Sequence, residues 1–325
     1  MPIRLWVVRS LVVFLGFAAV SAQGAEELSP GVSLGAPLAA EPLVIIPILK
    51  AADPKDVSNY LTLKQGLQEK LVKVSEVPGG ASVNEVQVAN RSDRPLLLLG
   101  GELILGGQQD RVLSADAVVE PKSTMRVSVF CVEHGRWQGQ GQFSHSGGLA
   151  EGKLRRTAKF ARVQEEVWGQ VARKTSALRA QSSTGTYRTL ATGDQGKKAT
   201  EKFAGLKKAF LALPEKDVVG LATAVNGQVR SVDVFANAEL FRAYRDSLLE
   251  SAFIDAADER VEPNKEAPKP AVVKEFMDKA DAAPPTEVIQ TKSGRSVQKK
   301  SKDVVNSTVD LDQKPIYKSY QDAKY

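Results

Sequence analysis

The sequence predicts an α+β protein with an antiparallel β-sandwich or barrel-like core, a long amphipathic helix and two or three further helices. Three patterns support this fold class. Apolar and polar residues alternate with period two over residues 83–133, broken by short turn sequences, as in antiparallel sheets. Apolar residues recur at helical spacing over residues 154–178, which is typical of an amphipathic helix. Asn226-Gly227 separates two strand-like runs and predicts a hairpin.

The N-terminus has the three parts of a secretory signal peptide. Arg4 and Arg9 precede an apolar run over residues 11–20, and small residues follow that run. We expect cleavage after Ala22, with Ala25 as the second choice. An uncleaved anchor is the weaker alternative, because the run is shorter than the about 20 apolar residues that span a bilayer. The signal predicts an extracytoplasmic protein, periplasmic or secreted, with no membrane span in the mature chain.

The composition argues against several functional classes. The chain has 325 residues and a formal net charge of +6. Its lysine pairs lack interleaved aromatic residues, so we expect solvated faces and no nucleic-acid partner. Cys131 is the single cysteine, which excludes an internal disulfide. The sequence has no phosphate loop, dinucleotide fingerprint or G-x-S-x-G elbow, and we expect no cofactor.

The first elements follow from composition and short apolar runs. Residues 23–42 are rich in Gly, Pro, Ala and Ser and predict a flexible leader. The apolar run at residues 43–49 predicts a buried first strand, in which Pro47 indicates an edge or an irregularity. A short helix is predicted at residues 62–70, followed by a strand at residues 71–77.

The second half alternates between helices and strands. A charged, Pro-rich linker is predicted near residues 259–270, and residues 286–325 predict a polar, β-rich segment. A disordered tail is the alternative for that segment, because its apolar content is low. Strand-rich ends usually return to an existing sheet, so we count residues 43–325 as a single domain. Further helices are predicted at residues 197–213, 238–257 and 271–282.

Two segments collect glycine and polar residues where strands are expected to end. They are Gly-Gly-Glu-Leu-Ile-Leu-Gly-Gly-Gln-Gln-Asp-Arg at residues 100–111 and Cys-Val-Glu-His-Gly-Arg-Trp at residues 131–137. Paired glycines permit the close approach of a ligand or of another strand. Together with residues 164–168 and 219–227, these segments resemble the largely uncharacterised ARG and rhodanese-phosphatase-superfamily-associated protein domain family, over about residue 43 to the C-terminus. The resemblance implies an association with ADP-ribosylglycohydrolase and rhodanese-phosphatase domains, and so nucleotide or ADP-ribose chemistry.

Six residues of these segments are candidates for ligand binding. Arg136 is suited to hold a phosphate or carboxylate through its bidentate fork, and Trp137 is suited to stack on a base or sugar. Glu102 and Glu133 can form a carboxylate pair for acid/base work. Alternatively, each glutamate pairs with an arginine and closes a barrel rim, which is the interpretation we favour. The candidates are Glu102, Gln109, Arg111, Glu133, Arg136 and Trp137.

The residue types also permit a thiolate site or a metal site, and neither is favoured. Cys131 and His134 are three residues apart, and such residues face opposite sides of an extended strand. We therefore expect a buried, unreactive cysteine. Cys131, His134, His145 and Glu102 are of types that bind zinc, but their spacing matches no standard pattern. We expect no metal.

Three functional hypotheses remain. The leading one is an exported protein of unknown activity that binds a small-molecule or protein ligand. The alternative is a hydrolase that acts on an anionic, nucleotide- or ADP-ribose-like substrate through Glu102, Glu133 and Arg136. In the third hypothesis the motif is structural, and function resides in exposed loops such as residues 182–195. Whether the protein is an enzyme stays open.

Overall fold

A computed structural model describes residues 27–51, 59–78, 83–139 and 141–324, with backbone only at Ser144 and His145. The predicted signal peptide and its cleavage site at Ala22 lie outside the described residues. The strands are β1 (Glu27–Ser29), β2 (Val32–Leu34), β3 (Leu38–Ala40), β4 (Leu43–Lys50), β5 (Leu61–Thr62), β6 (Val72–Glu76), β7 (Glu85–Asn90), β8 (Leu96–Leu98), β9 (Glu102–Gly106), β10 (Arg111–Leu113), β11 (Ala117–Val119), β12 (Ser123–Cys131), β13 (Gln142–Leu149), β14 (Val218–Val225), β15 (Gln228–Phe235), β16 (Pro285–Gln290), β17 (Gly294–Lys300), β18 (Val304–Leu311) and β19 (Lys314–Asp322). The helices are α1 (Leu63–Gln68), α2 (Gly152–Arg156), a π-helical turn (Thr157–Ala161), α3 (Gln164–Ala177), α4 (Arg188–Ala191), α5 (Asp194–Thr200), a 3-10 turn (Glu201–Phe203), α6 (Ala204–Leu211), α7 (Ala238–Ala256) and α8 (Pro270–Asp281).

Six antiparallel strands close into a barrel within the described part of the chain, in the order β10-β12-β7-β6-β13-β9. Alternate residues point inward, and the pairs Val86 with Val88 and Val127 with Val129 belong to the enclosed core. Helix α1 and the small sheet β11-β8-β5 contribute to the same core. The period-two pattern therefore predicted the strands, and of the sandwich and barrel-like alternatives the structure shows the barrel.

A ten-stranded antiparallel sheet forms the second part of the described fold. Its strand β4 is buried on both faces: Leu43 and Ile45 pack towards α7, whereas Val44 and Ile46 pack towards α8. This double burial explains its continuous apolar run. Pro47 lies opposite the break between β2 and β3, where the Gly35 N–H donates to the Pro47 carbonyl at 2.8 Å. The predicted irregularity is thus confirmed.

The hairpin β14-β15 and helix α7 lie where the sequence predicts them. Asn226 and Gly227 adopt positive φ angles of 49° and 75°, and Val225 pairs with Gln228 on either side of the turn. These are the angles of a two-residue type I′ turn. Helix α7 is capped by the Asn237 side chain, which accepts from the Leu240 N–H at 2.9 Å, and its apolar face packs on the sheet.

Several predictions need correction. The described residues form more α-helices than the long helix and two or three others that were predicted, and the helix predicted at residues 197–213 is divided into α5, the 3-10 turn and α6. Residues 27–40, assigned to the flexible leader, form β1, β2 and β3, because β2 and β3 pair with the edge of β4 and β1 pairs with β2. The prediction of a single long amphipathic helix over residues 154–178 is also wrong, because this segment is not one helix. It is divided into α2, the π-helical turn and α3, and Arg162 between them adopts a left-handed φ of 58°. Apolar spacing does not reveal this break, since both halves bury one face.

The regions after α3 and α7 complete the fold. Part of the expected loop at residues 182–195 is helical, in α4 and the start of α5. Residues between α7 and α8 have no regular structure, as expected of the linker. The polar C-terminal segment forms β16 to β19, which extend the large sheet beyond β15. Both faces of the sheet are therefore covered near its centre, and its outer strands carry more polar residues.

Candidate functional site

Most of the candidate residues lie at one end of the barrel, which we call the barrel mouth and define as residues 106–111 and 131–138. The first segment connects β9 to β10, and the second follows β12. Strand β10 pairs with both β9 and β12, and Arg111 lies opposite Cys131. The pairing brings both glycine-containing segments to the same end of the barrel, although about twenty residues separate them in the chain.

Asp110 is the centre of the barrel mouth and is fully buried. Its Oδ1 accepts from the Gly106 N–H at 2.9 Å, from Arg136 Nη2 at 3.3 Å and from Arg188 Nη2. Its Oδ2 accepts from Arg188 Nε and from Thr186 Oγ1, both at 2.9 Å. These hydrogen bonds raise the pKa of the Arg188 guanidinium. One carboxylate therefore orients two arginine side chains.

Glu133 and Arg136 form the ion pair that the sequence favoured. Glu133 Oε2 accepts from Arg136 Nε at 2.9 Å and lies 2.7 Å from Arg136 Nη2. The same oxygen accepts from the Asp110 N–H at 3.2 Å. The other Arg136 donors bind the carbonyl oxygens of Gly106, Gly107 and Gln138. Because its donors are engaged within the protein, Arg136 ties the two segments together and is not presented to a ligand.

Gln109 and Arg111 form a buried layer beneath this pair. Arg111 Nη1 donates to Gln109 Oε1 at 2.8 Å and to Cys131 Sγ at 2.9 Å, and Arg111 Nη2 lies 3.5 Å from Glu76. Gln109 Nε2 in turn donates to the Glu133 carbonyl at 2.8 Å. Burial raises the pKa of the Cys131 thiol. The expected burial of the cysteine is therefore confirmed.

The outer surface of the barrel mouth carries aromatic and cationic groups. Trp137 is 55% exposed, and the Arg188 side chain is 46% exposed. The exposed His134 ring makes an edge contact with Trp168, with 4.5 Å between ring centroids. We call His134, Trp137, Trp168 and Arg188 the mouth surface. Of the six ligand-binding candidates, only Trp137 belongs to it.

Glu102 lies away from the other candidates. It begins strand β9, whereas Gly106, which contacts Arg136, ends that strand. At about 3.3 Å per residue the two ends are about 13 Å apart. Glu102 is buried and accepts from the Leu99 N–H at 2.8 Å, and burial raises its pKa to about 8. The structure therefore does not bring Glu102 and Glu133 together, and the predicted carboxylate pair has no supporting geometry.

Glu102 belongs to a second group of buried side chains, the interior cluster, between the barrel and the large sheet. Lys159 Nζ lies 2.8 Å from Asp116 Oδ2, with both side chains fully buried. Arg155 Nη2 lies 2.9 Å from Asp233 Oδ1, which also accepts from the Tyr317 hydroxyl at 2.6 Å. Its members are Glu102, Asp116, Arg155, Lys159, Asp233 and Tyr317.

The paired glycines make room for this interior cluster. A Cβ atom added at Gly100 would lie 2.7 Å from Lys159 Cδ, and one added at Gly101 would lie 2.3 Å from Arg155 Cγ. Gly101 also has a φ of 96°, which disfavours other residues. The close approach predicted at these glycines is therefore made by two basic side chains of the same chain.

Several residues of both groups were not among the sequence candidates. Asp110 lies inside the first glycine-containing segment, and its place beside Arg111 was the one signal that could have identified it. Arg188 belongs to the polar stretch at residues 182–195, for which the sequence predicts a loop. Asp116, Arg155 and Lys159 come from alternating or amphipathic patterns in which charged residues are expected on the solvent side, so their burial gives no sequence signal.

The residues considered for a metal have separate neighbours. Cys131 contacts Arg111, His134 contacts Trp168, and Glu102 lies in the interior cluster. Among the side chains that the structure describes, no three or more His, Cys, Asp and Glu residues are grouped to hold a metal ion. His145 is outside that comparison, because its side chain is not described.

These features define an α+β protein in which a closed barrel and a large antiparallel sheet share an apolar core, with buried ion pairs that α2 and the π-helical turn contribute. The model of the family described as the ARG and Rhodanese-Phosphatase-superfamily-associated Protein domain matches residues 31–321. The chain belongs to this family, as its motifs predicted. No curated protein and no solved structure matches the chain. Among the described helices, none is long and apolar enough to cross a membrane.

Proposed function

We propose that this chain is an exported protein that binds a small anionic ligand, carrying a planar ring or a sugar, at the mouth surface. The signal-peptide pattern of the first residues supports export. The observation that carries the binding proposal is that Arg188 and Trp137 are both exposed, while buried Asp110 fixes the Arg188 guanidinium. Arg136, which directly precedes Trp137, and Arg188 bind the same Asp110 carboxylate, which supports the proposal that the cation and the aromatic ring serve one ligand.

Arg188 is the cation suited to the ligand. Its Nε and Nη2 bind Asp110, and its Nη1 makes no hydrogen bond to the described residues. A guanidinium held in place loses less conformational entropy when an anion binds than a mobile one does. Since Asp110 and Glu133 balance Arg188 and Arg136 in charge, affinity comes from directed hydrogen bonds and stacking, and depends only modestly on salt.

Trp137 and the His134–Trp168 pair supply the apolar contact. An exposed tryptophan offers a flat face for stacking, and such contacts with a base contribute about 1–3 kcal/mol. His134 and Gly135 donate through their backbone N–H groups to the Thr184 carbonyl, at 3.1 and 2.8 Å. These bonds tie the segment that carries His134 and Trp137 to the segment that leads to Arg188.

A thermal-shift screen of the mature protein tests this proposal, with nucleotides, ADP-ribose and acidic sugars as ligands. A ligand at about 100 times its Kd stabilises the folded state by about 2.7 kcal/mol, which raises the Tm. We expect Arg188→Gln and Trp137→Ala to abolish the shift. Arg126→Gln is the matched control, because Arg126 is 64% exposed on β12. A wild-type protein that responds to no ligand would contradict the proposal.

A further inference from the structure

We propose that Lys159 and Asp116 condense into an intramolecular isopeptide bond inside the folded protein, with Glu102 as the proton-transfer group. The reacting groups are already in contact, since Lys159 Nζ lies 2.8 Å from Asp116 Oδ2. Neither side chain has measurable exposure. Water therefore does not compete for the carboxyl carbon, and an amide would replace two charges that are costly to bury.

Two hydrogen-bond donors polarise the Asp116 carboxyl group. The Gly100 N–H donates to Oδ1 at 2.5 Å, and the Ser307 hydroxyl donates to Oδ2. When an amine attacks a carboxyl carbon, negative charge develops on oxygen. Fixed donors at that position stabilise the tetrahedral intermediate, as in an oxyanion hole. The surroundings of Asp116 thus favour attack by the neighbouring amine.

Glu102 is positioned beside Asp116 by the backbone. Glu102 accepts from the Leu99 N–H and Asp116 accepts from the Gly100 N–H, so the two carboxyl groups are anchored on consecutive residues, whose Cα atoms are about 3.8 Å apart. Burial, together with a smaller contribution from the nearby Asp116 charge, raises the pKa of Glu102 to about 8. Glu102 is therefore a neutral acid at neutral pH, which can donate a proton.

Lys159 is adapted to be the nucleophile. Burial lowers the pKa of its ammonium group, which increases the fraction of neutral amine. Lys159 lies in the π-helical turn, one helical repeat from Arg155, and both side chains enter the interior over the paired glycines. Single π-turns occur frequently at functional sites.

The condensation balances without any further reactant. The Lys159 ammonium transfers one proton to the carboxylate, and the resulting amine Nζ attacks Asp116 Cγ. The Nζ–Cγ bond forms and one Cγ–Oδ bond breaks. Glu102 donates a proton to the leaving oxygen and regains one from the nitrogen, so one water molecule is released and no charge is created. The product links the residue before β11 to the π-helical turn, in a chain whose single cysteine cannot form an internal disulfide.

Intact-mass and peptide mass spectrometry of the purified mature protein test this inference. We expect the wild-type chain to be lighter than its sequence by one water molecule. Trypsin should then release a branched peptide that joins residues 112–122 to residues 157–162, because it cannot cut after an acylated Lys159. The exposed pair Lys274–Asp278, with 2.6 Å between its charged atoms, is an internal control that should yield only unbranched peptides.

Two variants test the roles of the residues. Lys159→Arg keeps a cation but cannot form the amide, and Glu102→Gln keeps the shape of the acid without its proton; both should have the full sequence mass. A wild-type protein at full mass, with the two peptides separate after prolonged incubation, would overturn the proposal. Loss of water located on other peptides would overturn it equally. A Glu102→Gln protein that condenses as completely as the wild type would overturn the role of Glu102.

Discussion

Asp110 is the residue on which the barrel mouth most depends. Its two oxygens bind both Arg136 and Arg188, as well as the Gly106 N–H and the Thr186 hydroxyl. A buried carboxylate with this many charge-assisted bonds fixes the position of every group around it. The ligand-binding proposal therefore rests on a residue that does not itself reach the surface.

Asp110→Asn tests this dependence. The amide removes the charge shared by two guanidiniums, so we expect the free energy of unfolding to fall by about 2–3 kcal/mol, measured by urea denaturation. The control is Asp93→Asn, because Asp93 is 89% exposed beside Lys122 and should change stability by less than about 0.5 kcal/mol. Equal effects of the two substitutions would contradict the structural role of Asp110.

Glu102 gives the fold a predictable pH dependence. Its pKa rises from 4.5 to about 8 on burial, so between these values the folded state keeps a proton that the unfolded state loses. The stabilisation is complete below pH 4.5 and is lost as the pH rises towards 8, at about 1.4 kcal/mol per pH unit. Asp255, whose pKa burial raises to about 7, acts in the same direction.

Urea denaturation at several pH values between 5 and about 8 measures this effect. We expect the free energy of unfolding of the wild-type protein to be larger at the acidic end. In Glu102→Gln the slope of the free energy of unfolding against pH should be smaller by the contribution of one proton, about 1.4 kcal/mol per pH unit. The comparison uses the slope and not the absolute stability, so a uniform loss of stability in the variant does not affect it. An unchanged slope in Glu102→Gln would show that Glu102 is ionised in the folded protein.

The sequence identified part of the barrel mouth but not the groups that organise it. Glu133, Arg136 and Trp137 form a compact motif in the chain, and the ion pair of the first two was predicted. Arg188 comes from a distant polar stretch, and Asp110 was hidden among glycines and amides. Residues that meet only through strand pairing and loop packing leave no spacing pattern in the sequence, which is why the mouth surface was predicted only at Trp137.

At the scale of elements, the turn before β9 and the helix α2 depend on each other. Gly101 has a φ of 96°, and Arg155 packs so closely that an added Cβ would lie 2.3 Å from its Cγ. Gly101→Ala should therefore lower the free energy of unfolding by about 2–4 kcal/mol. Gly169→Ala in α3 is the matched control, since nothing lies within 4 Å of the added Cβ and alanine favours the helix by about 1 kcal/mol. Thermal denaturation of both variants measures the difference, and equal Tm values would contradict this packing.

The elements that sequence predicts well are those that local rules determine. The Asn226-Gly227 hairpin follows from turn chemistry, and α7 follows from its apolar face and its Asn237 cap. The prediction of one helix over residues 154–178 was wrong, because apolar spacing continues across the π-helical turn and across Arg162. The short strands at residues 27–40 were not predicted for a different reason: they are stabilised by pairing with β4 or with one another and have little apolar pattern of their own.

At the scale of the whole molecule, the α+β class was predictable and its arrangement was not. Closure of the barrel requires β9 to pair with both β10 and β13, which are far apart in the chain. The large sheet unites β4, β14 and β19, from the beginning, middle and end of the sequence. Such non-local pairings depend on how whole faces pack, which periodicity alone does not encode.

Export is the prediction that concerns the whole chain. We expect expression of the full gene in a bacterial host to place the protein outside the cytoplasm, with Gln23 as the first residue after cleavage at Ala22. N-terminal sequencing of the extracytoplasmic fraction measures this. Replacing Leu11 and Val12 by charged residues should retain the uncleaved chain in the cytoplasm. A cytoplasmic protein that begins at Met1 would contradict export.

The central claim is that Trp137 and Arg188 bind one anionic ligand at the barrel mouth. The most direct test is the tryptophan fluorescence of the mature protein, titrated with each nucleotide and acidic sugar and repeated in Trp168→Phe, where Trp137 is the single remaining tryptophan. We predict a saturable change for at least one ligand, abolished by Arg188→Gln and retained in Arg126→Gln. A signal that no ligand changes, or that changes equally in Arg188→Gln, would contradict the account.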